Sequence, residues 1–382
     1  MKDTRLPRRA LVAAAALSTL AFAGCAGMST ESNSTNGSMP GSGSASGVPS
    51  ASPTDAQVSG ISTVKTWELD TSSFLGHAPT VDDIAADKSD MLVLSPADLE
   101  SKDHPLNKQL TAARGKGPKK ILLAMVDVGY VTPSSALWNN SWADSSGKVS
   151  VTAPAWLEAP EKTGSTRYRV QYWDSDWQKR VSDEIQRLQK AGFDGVCLDG
   201  LGASSAFSSQ RSTSIADMAT LIESEATDIR KHSTNFYVLA LDDAGVADKL
   251  TDQQRLAYLK DVDGAVGENV FYHDDKADDS GATQAAAADA KVKTADYDLD
   301  PQPDMISALD RYEYAHRPVF VTDQVSSTDK VSDFEERAKA RGYLPYVPGQ
   351  EPAPSTPASP SSTAPSAPSP PAVPAVPPAP AA

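Results

Sequence analysis

Cysteine is nearly absent. Of 382 residues only Cys25 and Cys197 are cysteines. With Cys25 committed to a lipid, as argued below, no internal disulfide can form, and stability has to come from burying apolar side chains. Long hydrophobic runs are missing as well. The stretch from Ala10 to Ala23 falls short of the roughly 20 apolar residues that cross a bilayer, so it does not read as a spanning helix. There is no Gly-x-Ser-x-Gly elbow, no phosphate-cradling Gly-Lys-Ser/Thr loop and no His-Glu-x-x-His. Serine-hydrolase, nucleotide-binding and zinc-protease chemistry thereby lose their signatures. Positive charge is short: 35 Lys and Arg face 50 Asp and Glu, for a formal net charge of −15. Nucleic acid is not an expected partner on that balance.

In place of a membrane span the sequence holds an export signal. Lys2, Arg5, Arg8 and Arg9 make a basic start, Ala10 to Phe22 an apolar run, and Ala23-Gly24-Cys25 a cutting site for a lipoprotein signal peptidase. Residues 1–24 are expected to be that signal peptide and Cys25 to carry lipid. Diacylation supplies the two chains that stable anchoring needs, which puts the chain at the extracytoplasmic face of the cell membrane. Loss of the leader, with four basic residues and one acid, takes the formal charge from −15 to −18. Such a surface suits solubility outside the cell, and it would also attract a cationic polymer such as an amino-sugar chain.

Residues 25–60 are rich in Ser, Gly, Thr and Pro with almost no large apolar side chain. Too little surface can be buried there to offset the entropy of ordering, so a flexible stalk is expected. From Pro348 the chain turns to Pro, Ala and Ser, without charge after Glu351; residues 348–382 read as an extended, disordered tail. The folded part is then residues 61–347, a length suited to one barrel. Within it, short apolar runs recur at Ser62–Leu69, Met91–Leu94, Lys120–Val128, Gly195–Leu198, Phe236–Leu241, Gly264–Val266, Pro318–Thr322 and Tyr343–Val347. Helix signals fill the gaps, as where Asp174 precedes an apolar series at Val181, Ile185 and Leu188 that stops at Gly192. Strands apolar on both faces that alternate with helices predict a parallel sheet, and eight of them predict a (β/α)8 TIM barrel; a doubly wound open sheet is the competing arrangement. Cys197 reads as a small core residue. The stretch from Tyr130 to Tyr168, with Trp138, Trp142 and Trp156, does not alternate and reads as a long loop over the C-terminal mouth of the barrel, where substrate contacts such as Tyr130 are expected.

An acid at the end of an apolar barrel strand points into that mouth. Asp199 closes Gly195-Val196-Cys197-Leu198 on the fourth strand, and Glu268 follows Gly264-Ala265-Val266-Gly267 on the sixth. Alternate strands contribute to a common layer, so the two can face each other. Glycosidic cleavage uses such a pair, one carboxyl to protonate the leaving oxygen and one as nucleophile or base; for either alone, a helix cap or an ion pair is the other reading. Asp127, Asp242 and Asp243 also end strands and would bind sugar hydroxyls or cap loops. Trp173, in Tyr172-Trp173-Asp174, can stack on a sugar or pack, while Trp177 at helical spacing reads as packing. His273-Asp274-Asp275 has no second spaced histidine and is not expected to hold a metal.

These segments together resemble glycoside hydrolase family 114, the endo-α-1,4-polygalactosaminidases. The resemblance is carried by Trp67-Glu68-Leu69, Ser89 to Leu94, Lys119 to Gly129, Tyr172-Trp173-Asp174 with Trp177, and Gly192 to Asp199. It continues through Val262-Asp263-Gly264 with Glu268, Pro318 to Asp323 and Ala340 to Val347. It implies a TIM barrel that hydrolyses α-1,4-linked galactosamine or N-acetylgalactosamine polymers, with Asp199 as nucleophile and Glu268 as general acid/base; apart from the resemblance, a monomer without a cofactor is expected. The chain departs from the family pattern at Gly129-Tyr130-Val131-Thr132, where Gly-Glu is usual, and at Leu241-Asp242-Asp243, where Gln-Asn is usual. Both departures lie at the mouth. They motivate the alternative expectation, a non-catalytic glycan-binding or scaffolding lipoprotein on the same barrel.

Overall fold

The computed structural model describes residues 60–70, 78–160, 162, 164–273 and 296–349. The leader 1–24, Cys25, the stalk before Gly60, Asp274, Asp275 and the tail from residue 350 lie outside the described residues. Eight strands form one parallel sheet: β1 (Trp67–Asp70), β2 (Met91–Leu94), β3 (Ile121–Asp127), β4 (Gly195–Asp199), β5 (Tyr237–Leu241), β6 (Gly264–Glu268), β7 (Val319–Thr322) and β8 (Leu344–Tyr346). They are hydrogen-bonded in sequence order. The crossovers carry the helices α1 (Val81–Ala86), α2 (Leu106–Lys116), α3 (Ser175–Ala191), α4 (Ser214–His232), α5 (Asp252–Asp261), α6 (Pro303–Tyr314) and α7 (Thr328–Ala340). This is a (β/α)8 barrel. At its seam the indole Nε1 of Trp67 on β1 donates to the Leu344 carbonyl on β8 at 2.9 Å.

Alternation along the strands sorts side chains into two cores. Trp67, Leu69, Met91, Val93, Leu123, Cys197, Leu239, Leu241, Val266, Phe320 and Tyr346 fill the barrel interior. Their sequence neighbours Leu92, Leu122, Val196, Leu198, Ala240, Ala265 and Val321 join the layer between sheet and helices. Both faces are therefore dry, which is why each strand is apolar throughout. The run expected from Ser62 begins later, at Trp67. Ile61 and Val64 are buried in the interior cluster from a turn in which Val64 N donates to Ile61 O, so they are apolar as packing for the interior and not as strand residues.

α3 follows its signals closely. The Asp174 side chain accepts from Asp176 N, and Gly192 closes the helix in the left-handed conformation at φ 113°, a position that favours glycine. Between β3 and β4 the expectation of a long loop is corrected. Tyr130–Val131, Leu157–Pro160 and Tyr168–Val170 form a three-stranded antiparallel sheet, whose pieces are too short to show a period of two in sequence. Its tryptophans are packing residues. Trp142 and Trp156 are buried, with ring centroids 5.1 Å apart, and Trp156 lies 4.9 Å from Trp177 of α3. Trp177 is itself fully buried, and its Nε1 donates to Val128 O at 2.8 Å. This fixes the three-stranded excursion against the barrel.

Candidate active site

The interior set of side chains continues past the apolar core into the mouth. Two residues beyond Met125, Cys197, Leu241, Val266 and Phe320 come Asp127, Asp199, Asp243, Glu268 and Thr322, so each shares the inward face of its strand. Asp127 and Asp199 are direct register partners on β3 and β4. Among them sits a residue that strand patterning does not reveal, Arg167, which comes from the excursion.

Arg167 ties the group together. Its Nε and Nη2 donate to Asp127 Oδ2 at 3.1 and 2.8 Å, and its Nη2 stands 3.6 Å from Asp199 Oδ2. The guanidinium carbon lies 3.9 Å from the centroid of the Tyr130 ring, a cation–π stack. The other oxygen of Asp127 accepts the amides of Gly129 and Tyr130 at 3.1 and 2.8 Å, so Asp127 is fully engaged in holding Arg167. Asp199 Oδ1 accepts the Gly200 amide at 2.5 Å. Gly200 has φ +82°, and a Cβ there would overlap Asp127 Oδ1; only glycine brings the two strand ends this close.

The electrostatics divide the carboxyls. Loss of hydration, reinforced by the charges of Asp199 and Asp243, pushes Glu268 up to about 8. Crowding by protein and the charge of Asp199 push Asp243 up to about 7, although this side chain is exposed at the mouth and water moderates the push. Loss of hydration raises Asp127 to about 6 against the pull of Arg167. Burial by itself would lower the Arg167 guanidinium, but the charges of Asp127 and Asp199 hold it above its ordinary value. Glu268, its proton affinity raised, thus shares the inward face of the mouth with Asp199, which faces a cation. Such an arrangement can donate a proton at one point and present a carboxylate at another.

The strand end bearing Glu268 is held by a run of backbone hydrogen bonds. Asn269 takes φ 55°, and its amide donates to Thr322 O at 2.8 Å. The next three amides, of Val270, Phe271 and Tyr272, donate to the fully buried carboxylate of Asp323 at 2.6 to 2.9 Å.

Two expected substrate contacts are placed elsewhere. Asp242 lies one residue out of phase and faces the helix layer. It has no exposed surface, and its oxygens accept Val246 N, Ala247 N and Tyr312 Oη at 2.7, 3.0 and 3.1 Å. Tyr130 is buried, 3% exposed, beneath Arg167, where it supports the cation without meeting solvent. Trp173 is half-buried, packed edge-on to Phe207 at 4.9 Å, with the Arg211 guanidinium 4.7 Å over its ring. The structure therefore gathers Asp127, Asp199, Asp243 and Glu268 around Arg167, and sets Asp242 apart. Among the described residues no group of three His, Cys, Asp or Glu side chains is placed to hold a metal ion.

No family model matches the chain. It is similar to an uncharacterized protein of Deinococcus radiodurans, 24% identical over 260 residues that cover 68% of this chain and 72% of that protein. It is also similar to one of Methanocaldococcus jannaschii, 23% identical over 241 residues covering 60% and 61%; the chain thus spans about three fifths of the latter's length. Among solved structures, the glycoside hydrolase domain of PelA from Pseudomonas aeruginosa superposes with a TM-score of 0.48 at 15% identity, covering 74% of this chain and 94% of that one. Ega3 of Aspergillus fumigatus, in complex with galactosamine, gives 0.43 at 11% identity, covering 74% and 91%.

Proposed function

We propose that the chain is a glycoside hydrolase that cleaves within an α-1,4-linked galactosamine or N-acetylgalactosamine polymer. The observation that carries the reading is Glu268, pushed up to about 8, on the same inward face of the mouth as an Asp199 that Arg167 faces at 3.6 Å. Glu268 gives its proton to the glycosidic oxygen as the bond to the anomeric carbon breaks. Asp199 attacks that carbon to form a glycosyl–enzyme ester, and Glu268, now a carboxylate, takes a proton from the water that releases the sugar. Asp243, exposed at the mouth and outside the Arg167–Asp127 pair, adds negative charge as it ionises near 7, which favours a polymer carrying ammonium groups.

The experiment is hydrolysis of partly deacetylated galactosaminogalactan by the full chain, followed by reducing-end release. Asp199→Asn and Glu268→Gln are each expected to lose about 10²–10⁴-fold, the usual weight of general acid–base catalysis. Undiminished rates in both would sink the assignment, and saturable binding without product would favour a non-catalytic glycan binder. The sequence further supports a lipid anchor at Cys25 that holds this activity at the outer face of the cell membrane. Fatty-acid labelling that persists in Cys25→Ser would contradict that anchor.

A further inference from the structure

Beside the carboxyl group lies a cleft of about 430 Å³, within the roughly 300–1,000 Å³ of ordinary small-molecule sites. Three segments wall it: Gly202 and Ser205 after β4, Asp243, Ala244 and Lys249 after β5, and Gln302 to Met305 at the start of α6. All three follow the C-terminal ends of barrel strands, so the cleft opens on the same face as Asp199 and Glu268. Asp243 belongs to both places. It lines the cleft, and its charge acts on Glu268.

The walls suit a ring with one polar edge and one apolar face. Lys249 Nζ is fixed across two loops, donating to Ala244 O at 2.5 Å and Ser205 Oγ at 3.3 Å. An ammonium has three donors, so one remains to meet a ligand hydroxyl. Gln302 adds an amide and Asp304 a carboxylate, while Pro303 and Met305 supply apolar surface on the same wall. A Cβ at Gly202 would stand 3.0 Å from Asp243 Oδ2; the bare backbone there keeps the way between the cleft and Asp243 open.

We infer that this cleft binds the sugar next to the one being cleaved: a second pyranose of the same chain, lying on Pro303 and Met305 with its hydroxyls on Lys249, Gln302 and Asp243. The inference rests on the glycosidase reading and adds to it where the neighbouring unit sits. Asp243 then touches both sugars and couples occupation of the cleft to the reacting pair.

The test is equilibrium binding of galactosamine and of partly deacetylated galactosaminogalactan fragments of increasing length to the full-length Glu268→Gln protein. Affinity is expected to step up when the second sugar is added. Lys249→Ala and Gln302→Ala should each shrink that step about two- to tenfold, the worth of one hydrogen bond, and Gly202→Val should abolish it. Thermal melts of the variants separate misfolding from lost binding. No step with length, no binding of any fragment, or a step untouched by all three substitutions would overturn the cleft. Stepped binding without product release by the unsubstituted protein would instead overturn the glycosidase reading and leave the cleft standing.

Discussion

Arg167 Nη2 and Asp199 Oδ2 stand 3.6 Å apart, joining the excursion between β3 and β4 to the end of β4. The same nitrogen holds Asp127 at 2.8 Å, so one guanidinium offsets the mutual repulsion of two register partners. Arg167→Gln is expected to lower kcat/KM on the order of 10²-fold, the size of losing one preorganised electrostatic contact. Arg167→Lys keeps the charge but not the two-nitrogen grip on Asp127 or the stack on Tyr130, and should fall between. Pairing Arg167→Gln with Asp127→Asn should cost less than the sum of the two single changes. Kinetics of the four proteins check this, and a Gln variant with undiminished rates would show that Arg167 is only a strut.

The pH dependence follows from Glu268. In the proposed role of proton donor it would work only while protonated, so kcat/KM is expected to fall as pH rises through about 8. Stability carries the same sign. The folded-state value of Glu268 lies above its ordinary 4.5, so between about 4.5 and 8 the folded chain binds more protons than the unfolded one, and stability falls with rising pH. Glu225, pushed up to about 7 chiefly by burial, adds to the trend. Melting temperature measured from pH 4 to 9 should decline across this window, and less steeply in Glu268→Gln.

Neighbouring acids should separate cleanly. Asp242→Asn turns an amide donor toward Val246 N or Ala247 N and is expected to cost about 1–3 kcal/mol of unfolding free energy. Asp243→Asn sits at the exposed mouth and should leave the urea midpoint nearly unchanged while raising KM. Equal effects on stability would contradict the assignment of opposite faces.

Gly200→Ala is expected to destabilise by about 1–3 kcal/mol, the cost of a strained left-handed backbone, with a loss of activity from displacement of Asp127. Denaturant unfolding and kcat/KM measured together would check both, and a variant matching the parent in each would remove the requirement for glycine.

The barrel was legible because strands dry on both faces leave contiguous apolar runs, and helices lie in the gaps between them. Asp199 and Glu268 stood out because an acid breaks each run at its end. Asp242 and Asp243 could have been told apart by the same rule of two: Tyr237, Leu239 and Leu241 carry the inward phase, which reaches Asp243 and skips Asp242. Arg167 could not. Its position depends on strands of two to four residues pairing across a stretch without local periodicity, and its partner Asp127 lies 40 residues earlier. Tyr130 looked like a contact for the same reason, since only the docked Arg167 shows what covers it.

That long reach means the barrel and the acidic cluster at its mouth depend on different parts of the chain. Asp127 and Asp199 are brought together by the pairing of β3 with β4, whereas the guanidinium between them is carried by the excursion, which Trp156 packs against Trp177. The excursion has a vulnerable tip, for Val151 is fully exposed. A protease cutting there would meet no core residue; the strand Tyr130–Val131 would then be held to Tyr168–Val170 by hydrogen bonds and packing alone, and melting temperature compared with hydrolysis rate before and after nicking would read the hold on Arg167 apart from the barrel. The hold on Arg167 and the integrity of the barrel thus rest on different contacts of the same chain.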